Sequence, residues 1–174
     1  MQRALLIVVS LVGSLAATAA APAHTAKTAS GCAGSMVVKT SSYVFALKVG
    51  PFEEMVSLEE AKAKHLTNAE VMVSGAMMGM HMTMSKQRHL EVHICRRSTG
   101  KVVLGAHPTI TVADLTAKTK PRMVSVAAMY GFAEGVSDMH YGNNVAMTAG
   151  HVYRVRVTLG GQMAIFRVKV AKMM

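Results

Sequence analysis

The 174-residue chain contains no tryptophan, four tyrosines, four phenylalanines and only two cysteines. Two cysteines exclude a disulfide-dense miniprotein held together by cross-links. Acidic residues are also scarce, nine against nineteen lysines and arginines, so the formal net charge is +10. Charged residues make up only 16% of the chain while Val, Ala and Met are abundant, which excludes general disorder. After the first twenty-odd residues no apolar run is long enough to span a bilayer. A nucleophile–base pair, a Gly-rich phosphate loop and an HExxH spacing are all missing. The expectation is therefore a protein that is not an enzyme, with redox chemistry at a metal as the one catalytic route left open. What the chain has in excess is thioether and imidazole: sixteen methionines beside eight histidines. Metal binding and a methionine-filled core both fit that composition.

The amino terminus accounts for part of the hydrophobicity. Arg3 precedes an apolar run over 4–15, and small residues follow with Ala17-Thr18-Ala19 or Ala21-Pro22-Ala23 as cleavage patterns. This reads as a secretory signal peptide over 1–23, with an uncleaved anchor as the alternative. Ala29-Ser30-Gly31-Cys32 loosely resembles a lipidation site but lies well past the apolar run. Residues 24–40 read as a flexible tether and 41–174 as the folded domain. Cleavage would leave a mature chain near +9, because Arg3 is lost. The expected location is periplasmic or secreted, where a basic chain meets an anionic membrane surface or an acidic protein face rather than nucleic acid.

Beyond the tether the pattern is mostly strand. Strands are expected over 41–49, 69–74, 88–97, 101–105, 109–113, 123–129, 145–147, 151–159 and 162–170. A loop is expected over 130–144. Ser57 and Glu60 form a capping box opening one short helix that runs to about His65. Gly160-Gly161 is a two-residue hairpin signal. In Tyr153-Arg154-Val155-Arg156-Val157 and Phe166-Arg167-Val168-Lys169-Val170 basic residues alternate with apolar ones, as on half-buried strands. The fold class is all-β, an antiparallel immunoglobulin-like β-sandwich of seven to eight strands with one short helix. The Trp and intersheet Cys pair of antibody domains are absent, so the expectation concerns architecture alone.

Three segments concentrate ligand chemistry. In His89-Leu90-Glu91-Val92-His93-Ile94-Cys95, strand alternation puts Leu90, Val92 and Ile94 on one face and His89, Glu91, His93 and Cys95 on the other. Neighbours on that face stand about 7 Å apart, so two can converge on one ion if other strands supply the rest. The alternative is an ordinary solvated polar face. Next, Met77-Met78-Gly79-Met80-His81-Met82-Thr83-Met84 would, if extended, aim Met80, Met82 and Met84 one way. Thioethers are soft ligands that favour Cu(I); the alternative is core filler. Third, Met129-Tyr130-Gly131 and Ser137-Asp138-Met139-His140-Tyr141-Gly142-Asn143-Asn144 place Met and His on a Gly-bounded loop that can aim them at a site; the alternative is an ordinary surface histidine. Cys32 and Cys95 either pair in an oxidising compartment or leave Cys95 free as a further soft ligand.

His89-Leu90-Glu91 followed by His140-Tyr141-Gly142-Asn143-Asn144-Val145 resembles the periplasmic metal-binding proteins that accompany bacterial high-affinity iron permeases. Those are dimeric immunoglobulin-like β-sandwiches that bind copper and are linked to iron through His, Glu and Met ligands. The resemblance covers roughly 70–170. It implies His89, Glu91 and His140 as metal ligands, joined by Met129 at the end of the preceding strand, with Met139 as the fallback. A further family histidine, in an extended segment between the last two strands, has no counterpart, because Gly160-Gly161 joins those strands here. His93 or the run containing Met80 and Met82 would have to substitute. The expected ligands are copper, as Cu(I) or Cu(II), with Fe(II) as a second candidate. A membrane metal permease and a second copy of the chain are the expected partners. The competing expectation is a metal-free immunoglobulin-like interaction module that binds through its basic sheet face.

Overall fold

A computed structural model describes Cys32 and residues 36–67, 69–75 and 86–172. The described residues form two sheets packed face to face, an all-β sandwich. Eleven strands are present: β1 Met36–Lys39, β2 Tyr43–Gly50, β3 Met55–Val56, β4 Glu70–Ser74, β5 Gln87–Arg96, β6 Thr109–Asp114, β7 Arg122–Met123, β8 Ala127–Gly131, β9 His140–Ala146, β10 Val152–Leu159 and β11 Gln162–Lys169. The larger sheet has the order β1-β2-β5-β9-β8-β4-β3 and the smaller β11-β10-β6-β7. All pairings are antiparallel except β3 with β4.

Period-two alternation builds the core. Phe45, Leu47, Leu90, Val92, Ile94, Tyr141 and Val145 of the larger sheet meet Ile110, Val112, Val155, Val157, Phe166 and Val168 of the smaller. Removing this apolar area from water is the main favourable contribution to folding. The hairpin between β10 and β11 turns on Gly160 and Gly161, both at positive φ (55° and 74°), a conformation open to glycine at little cost. The one α-helix among the described residues, α1 (Leu58–Ala63), starts where the capping signal sits: the Glu60 N–H donates to the Ser57 hydroxyl at 3.1 Å. Only half of the box forms, because the Glu60 carboxylate turns forward to Lys64 at 2.6 Å. Ala61 buries α1 against Val56, Ala69 and Val71.

Several expectations are corrected. The tether expected over 24–40 ends in a strand, since β1 pairs along β2. Cys32, also in that stretch, forms a disulfide with Cys95, so Cys95 is not a free ligand. Residues 101–105 are not a strand; they make one isolated bridge, Cys95 to Val102. The Tyr141 hydroxyl pins them instead, donating to the Val103 carbonyl at 2.6 Å and accepting the Ala106 N–H at 3.0 Å. The strand expected over 123–129 is two strands in different sheets, β7 and β8. The loop expected over 130–144 shrinks to a 3₁₀ turn at Gly135–Asp138, and His140 opens β9. Among the described residues no helix is long and apolar enough to cross a membrane.

Candidate metal centre

The face of β5 that points away from the apolar core is not a solvated one. His89, Glu91, His93 and Cys95 are 0%, 3%, 6% and 1% exposed, which overturns the solvated-face alternative. Strand register explains what stands around them. Asn144 and Gly142 of β9 lie opposite His89 and Glu91, and Lys48 of β2 lies opposite Glu91 from the other side. His140 of β9 lies opposite Met129 of β8, which lies opposite Met72 of β4. Side chains at paired positions share a face. The stretch 51–54 closes over this face: Pro51 accepts the His89 N–H, and the Glu53 backbone both donates to and accepts from the Asn144 side chain. A Cβ on Gly142 would run into the Leu90 carbonyl, so only glycine allows β5 and β9 their close approach there.

Two histidines are oriented from behind. Asn144 donates its amide N–H to Glu53, so its Oδ1 is the acceptor, and His89 gives it the Nδ1–H at 3.2 Å. His140 Nδ1 lies 2.8 Å from the Asp138 carbonyl, which can only accept. Each ring thus carries a proton on Nδ1 and turns Nε2 inward. The two Nε2 atoms face each other at 3.5 Å. Fixing one imidazole nitrogen with an oxygen so that the other is free to ligate is the usual outer arrangement of a metal-bound histidine.

Carboxylates complete two overlapping groups, Glu70–His89–His140 and Glu91–His93–His140. In each group the ligand atoms lie within 4.8 Å of one another, and all are buried. Glu70 Oε2 lies 3.3 Å from His140 Nε2, and Glu91 Oε2 lies 3.4 Å from His93 Nε2. His93 Nδ1 is buried with no hydrogen-bond partner. Lys48 Nζ holds Glu91 at 2.8 and 3.0 Å from its two oxygens.

The electrostatics follow from burial opposed by neighbours. Burial and the adjacent His140 push His89 below its ordinary value, which keeps it neutral. Burial opposes charge on His140 too, but the Asp138 and Glu70 carboxylates outweigh it and raise its pKa to about 10. Glu91 is destabilised by burial, yet hydrogen bonds from His93 and Lys48 hold it at about 2. Burial also acts to raise Asp138, and its contact with His140 more than offsets this. Without a bound ion, therefore, a proton on His140 sits among carboxylates where a cation would sit. A groove of about 510 Å³, lined by Lys48, Glu53, Glu70, Glu134 and Asp138 among others, leads to Glu70 from outside.

Of the residues expected from sequence, His89, Glu91, His93 and His140 come together. Met129 sits in register with His140 on the same face; it is fully buried and lies outside the two apolar clusters. Met139 does not join them. It points to the opposite side of β9 and packs in the main core, which removes the fallback. Met80 and Met82 lie outside the described residues; their segment, 76–85, connects β4 to β5. The sequence did not single out Glu70, Lys48, Asp138 and Asn144 as neighbours of the histidines, nor Met72 opposite Met129. The alternation Glu70-Val71-Met72 carried the signal that Glu70 and Met72 share a face, but nothing local marked that face as one with His140. Compared with protein-family models, curated proteins and solved structures, the chain matches none.

Proposed function

We propose that this protein is an exported carrier that captures copper, with ferrous iron as a second cargo, and delivers it to a membrane permease or another acceptor. The observation that carries the reading is the facing pair of Nε2 atoms, His89 and His140, each fixed through Nδ1 by an oxygen. Two lone pairs pointed at each other in a buried space are unfavourable unless a proton or a metal ion stands between them. Three carboxylates, Glu70, Glu91 and Asp138, against one ammonium, Lys48, favour a cation in that space. Imidazole nitrogens together with the Met129 thioether suit copper, and thioether in particular suits Cu(I). The carboxylates are the harder ligands that ferrous iron would use. Capture and release is the proposed activity.

The test is equilibrium titration of purified protein with Cu(II), with Cu(I) against a chromophoric competitor, and with Fe(II) under anaerobic conditions. Thermal unfolding is followed in parallel. Binding of copper should raise the unfolding temperature by linkage. Met129→Leu keeps the volume and should weaken Cu(I) binding more than Cu(II) binding. A wild-type protein whose unfolding is indifferent to copper in both oxidation states would remove the proposal.

A further inference from the structure

We infer that the outer face of the four-stranded sheet docks the protein on an anionic membrane surface. Alternation along β10 and β11 sends Val155, Val157, Phe166 and Val168 inward and leaves Arg154, Arg156, Arg167 and Lys169 exposed on the other side. The register sets Arg154 directly opposite Arg167. Like charges directly opposite one another destabilise a sheet, and no acidic residue on this face offsets them. The remaining outward positions along β6, β7, β10 and β11 hold only uncharged residues, among them Thr111, Thr158, Met123, Met163 and Ile165. No ion pair among the described residues involves any of the four cations.

The acidic residues are segregated away from this face. Of the nine acidic residues, Asp114 alone belongs to this sheet. Its carboxylate is used locally, accepting the Thr116 and Ala117 N–H groups and pairing with His151. The other eight lie on the β2–β3 connection, α1, β4, β5 and the 3₁₀ stretch before β9, and five of them, Glu53, Glu70, Glu91, Glu134 and Asp138, line the groove or the histidine cluster. One outer face is therefore cationic and the other sheet carries the acids.

The apolar residues on the cationic face identify the occupant. Ile165 lies opposite Arg156 and two residues from Arg167, Met163 precedes it on the same side of β11, and Met123 sits on the edge strand β7; they are 46%, 48% and 64% exposed. Cations interspersed with aliphatic tips on a broad sheet match a bilayer, whose anionic headgroups overlie hydrocarbon. The apolar amino-terminal run, read as an export signal, brings the chain to such a surface. Docked this way, the sheet bearing the acidic groove faces away from the bilayer. The inference does not depend on metal binding.

The test is co-sedimentation of the full chain with sucrose-loaded vesicles of phosphatidylcholine alone, or with about 30% phosphatidylglycerol, which supplies the negative surface potential. The neutral vesicles read whatever the apolar amino-terminal run contributes. The expected result is stronger binding to the anionic vesicles that disappears near 1 M salt, where the screening length is about 3 Å. The double variant Arg154→Gln/Arg167→Gln should weaken the anionic component by about 25-fold, roughly fivefold per charge. Lys62→Gln/Lys101→Gln removes the same charge from exposed positions off this face and should change it by less than about twofold. Equal binding to both vesicle types, or equal weakening by the two double variants, would overturn the inference. Retention on poly-aspartate resin that needs Arg154 and Arg167, without vesicle binding, would assign the face to an acidic protein and overturn it as well.

Discussion

His140 is the residue shared by both candidate ligand groups, and its Nε2 faces that of His89 at 3.5 Å. Each ring is held by an oxygen on its far side, Asn144 Oδ1 for His89 and the Asp138 carbonyl for His140. Removing His140 therefore dismantles both groups at once, whereas removing His93 dismantles only one. His140→Ala should lower copper affinity more than His93→Ala does. Asn144→Ala leaves every ligand in place but frees the His89 ring, and should cost about 10- to 100-fold, the usual effect of losing an outer-shell partner. Titration calorimetry on the three variants checks the order.

Lys48 occupies Glu91 in advance of any metal ion. Its side chain is 68% exposed, so it can swing into solvent when a cation takes the carboxylate. The ammonium then acts as a competitor that any metal must displace. Lys48→Gln should tighten divalent-ion binding by on the order of tenfold, because Glu91 no longer has a built-in counter-charge. The same change should lower the urea midpoint of the metal-free protein, because the Glu91 carboxylate, only 3% exposed, loses its counter-charge. Weaker binding in Lys48→Gln would instead mark Lys48 as support for the site.

Proton release should accompany metal uptake. His140 is raised from its ordinary value to about 10, so in the metal-free protein its protonated form is the stabilising one. That contribution is fully present below the unfolded value of 6.5 and is lost as pH rises through about 10. A metal ion at Nε2 must displace the proton, so uptake at neutral pH should release about one proton and strengthen as pH rises. Calorimetry in buffers of different ionisation enthalpy measures this number, and in His140→Ala the His140 contribution should vanish.

The Cys32–Cys95 bond closes a loop with a sequence separation of 63 and fastens the segment ahead of β1 to β5. Loop closure of that length stabilises a fold by about 4 kcal/mol. Reduction, or Cys32→Ala/Cys95→Ala, should lower the urea midpoint accordingly. Cys95 is two residues from His93 on the same face of β5, so the Cys32→Ala/Cys95→Ala variant, which loses the staple without gaining a thiol ligand, should also bind copper less tightly. Unchanged affinity in that variant would separate the staple from the site.

Much of the β structure was legible because its signals are local. Alternation in β10 and β11 with Gly160-Gly161 between them defines a hairpin whatever surrounds it, and Ser57 ahead of Glu60 marks the start of α1. The errors fall where tertiary partners decide. Residues 101–105 have strand composition, but their pairing with β5 stops after the Lys101 carbonyl and the Val103 N–H, and the Tyr141 hydroxyl takes the Val103 carbonyl. The stretch 130–144 read as loop because of its glycines and polar residues, although pairing with β8 and β5 makes 140–144 part of β9.

The sequence by itself determined the period-two pattern, and with it the sandwich and the sharing of one face by His89, Glu91 and His93. That follows because successive side chains on any strand point to opposite sides. It could not say whether that face meets water or protein. Only the tertiary structure decided that, by carrying 51–54 across it and setting β9, β8 and β4 beside it in a register that brings His140, Met129, Met72 and Glu70 to the same side. Register between strands distant in the chain depends on the pairing of the whole sheet rather than on any local motif. The same long-range pairing separated Met129, in line with the histidines, from Met139, which faces the core one residue before His140.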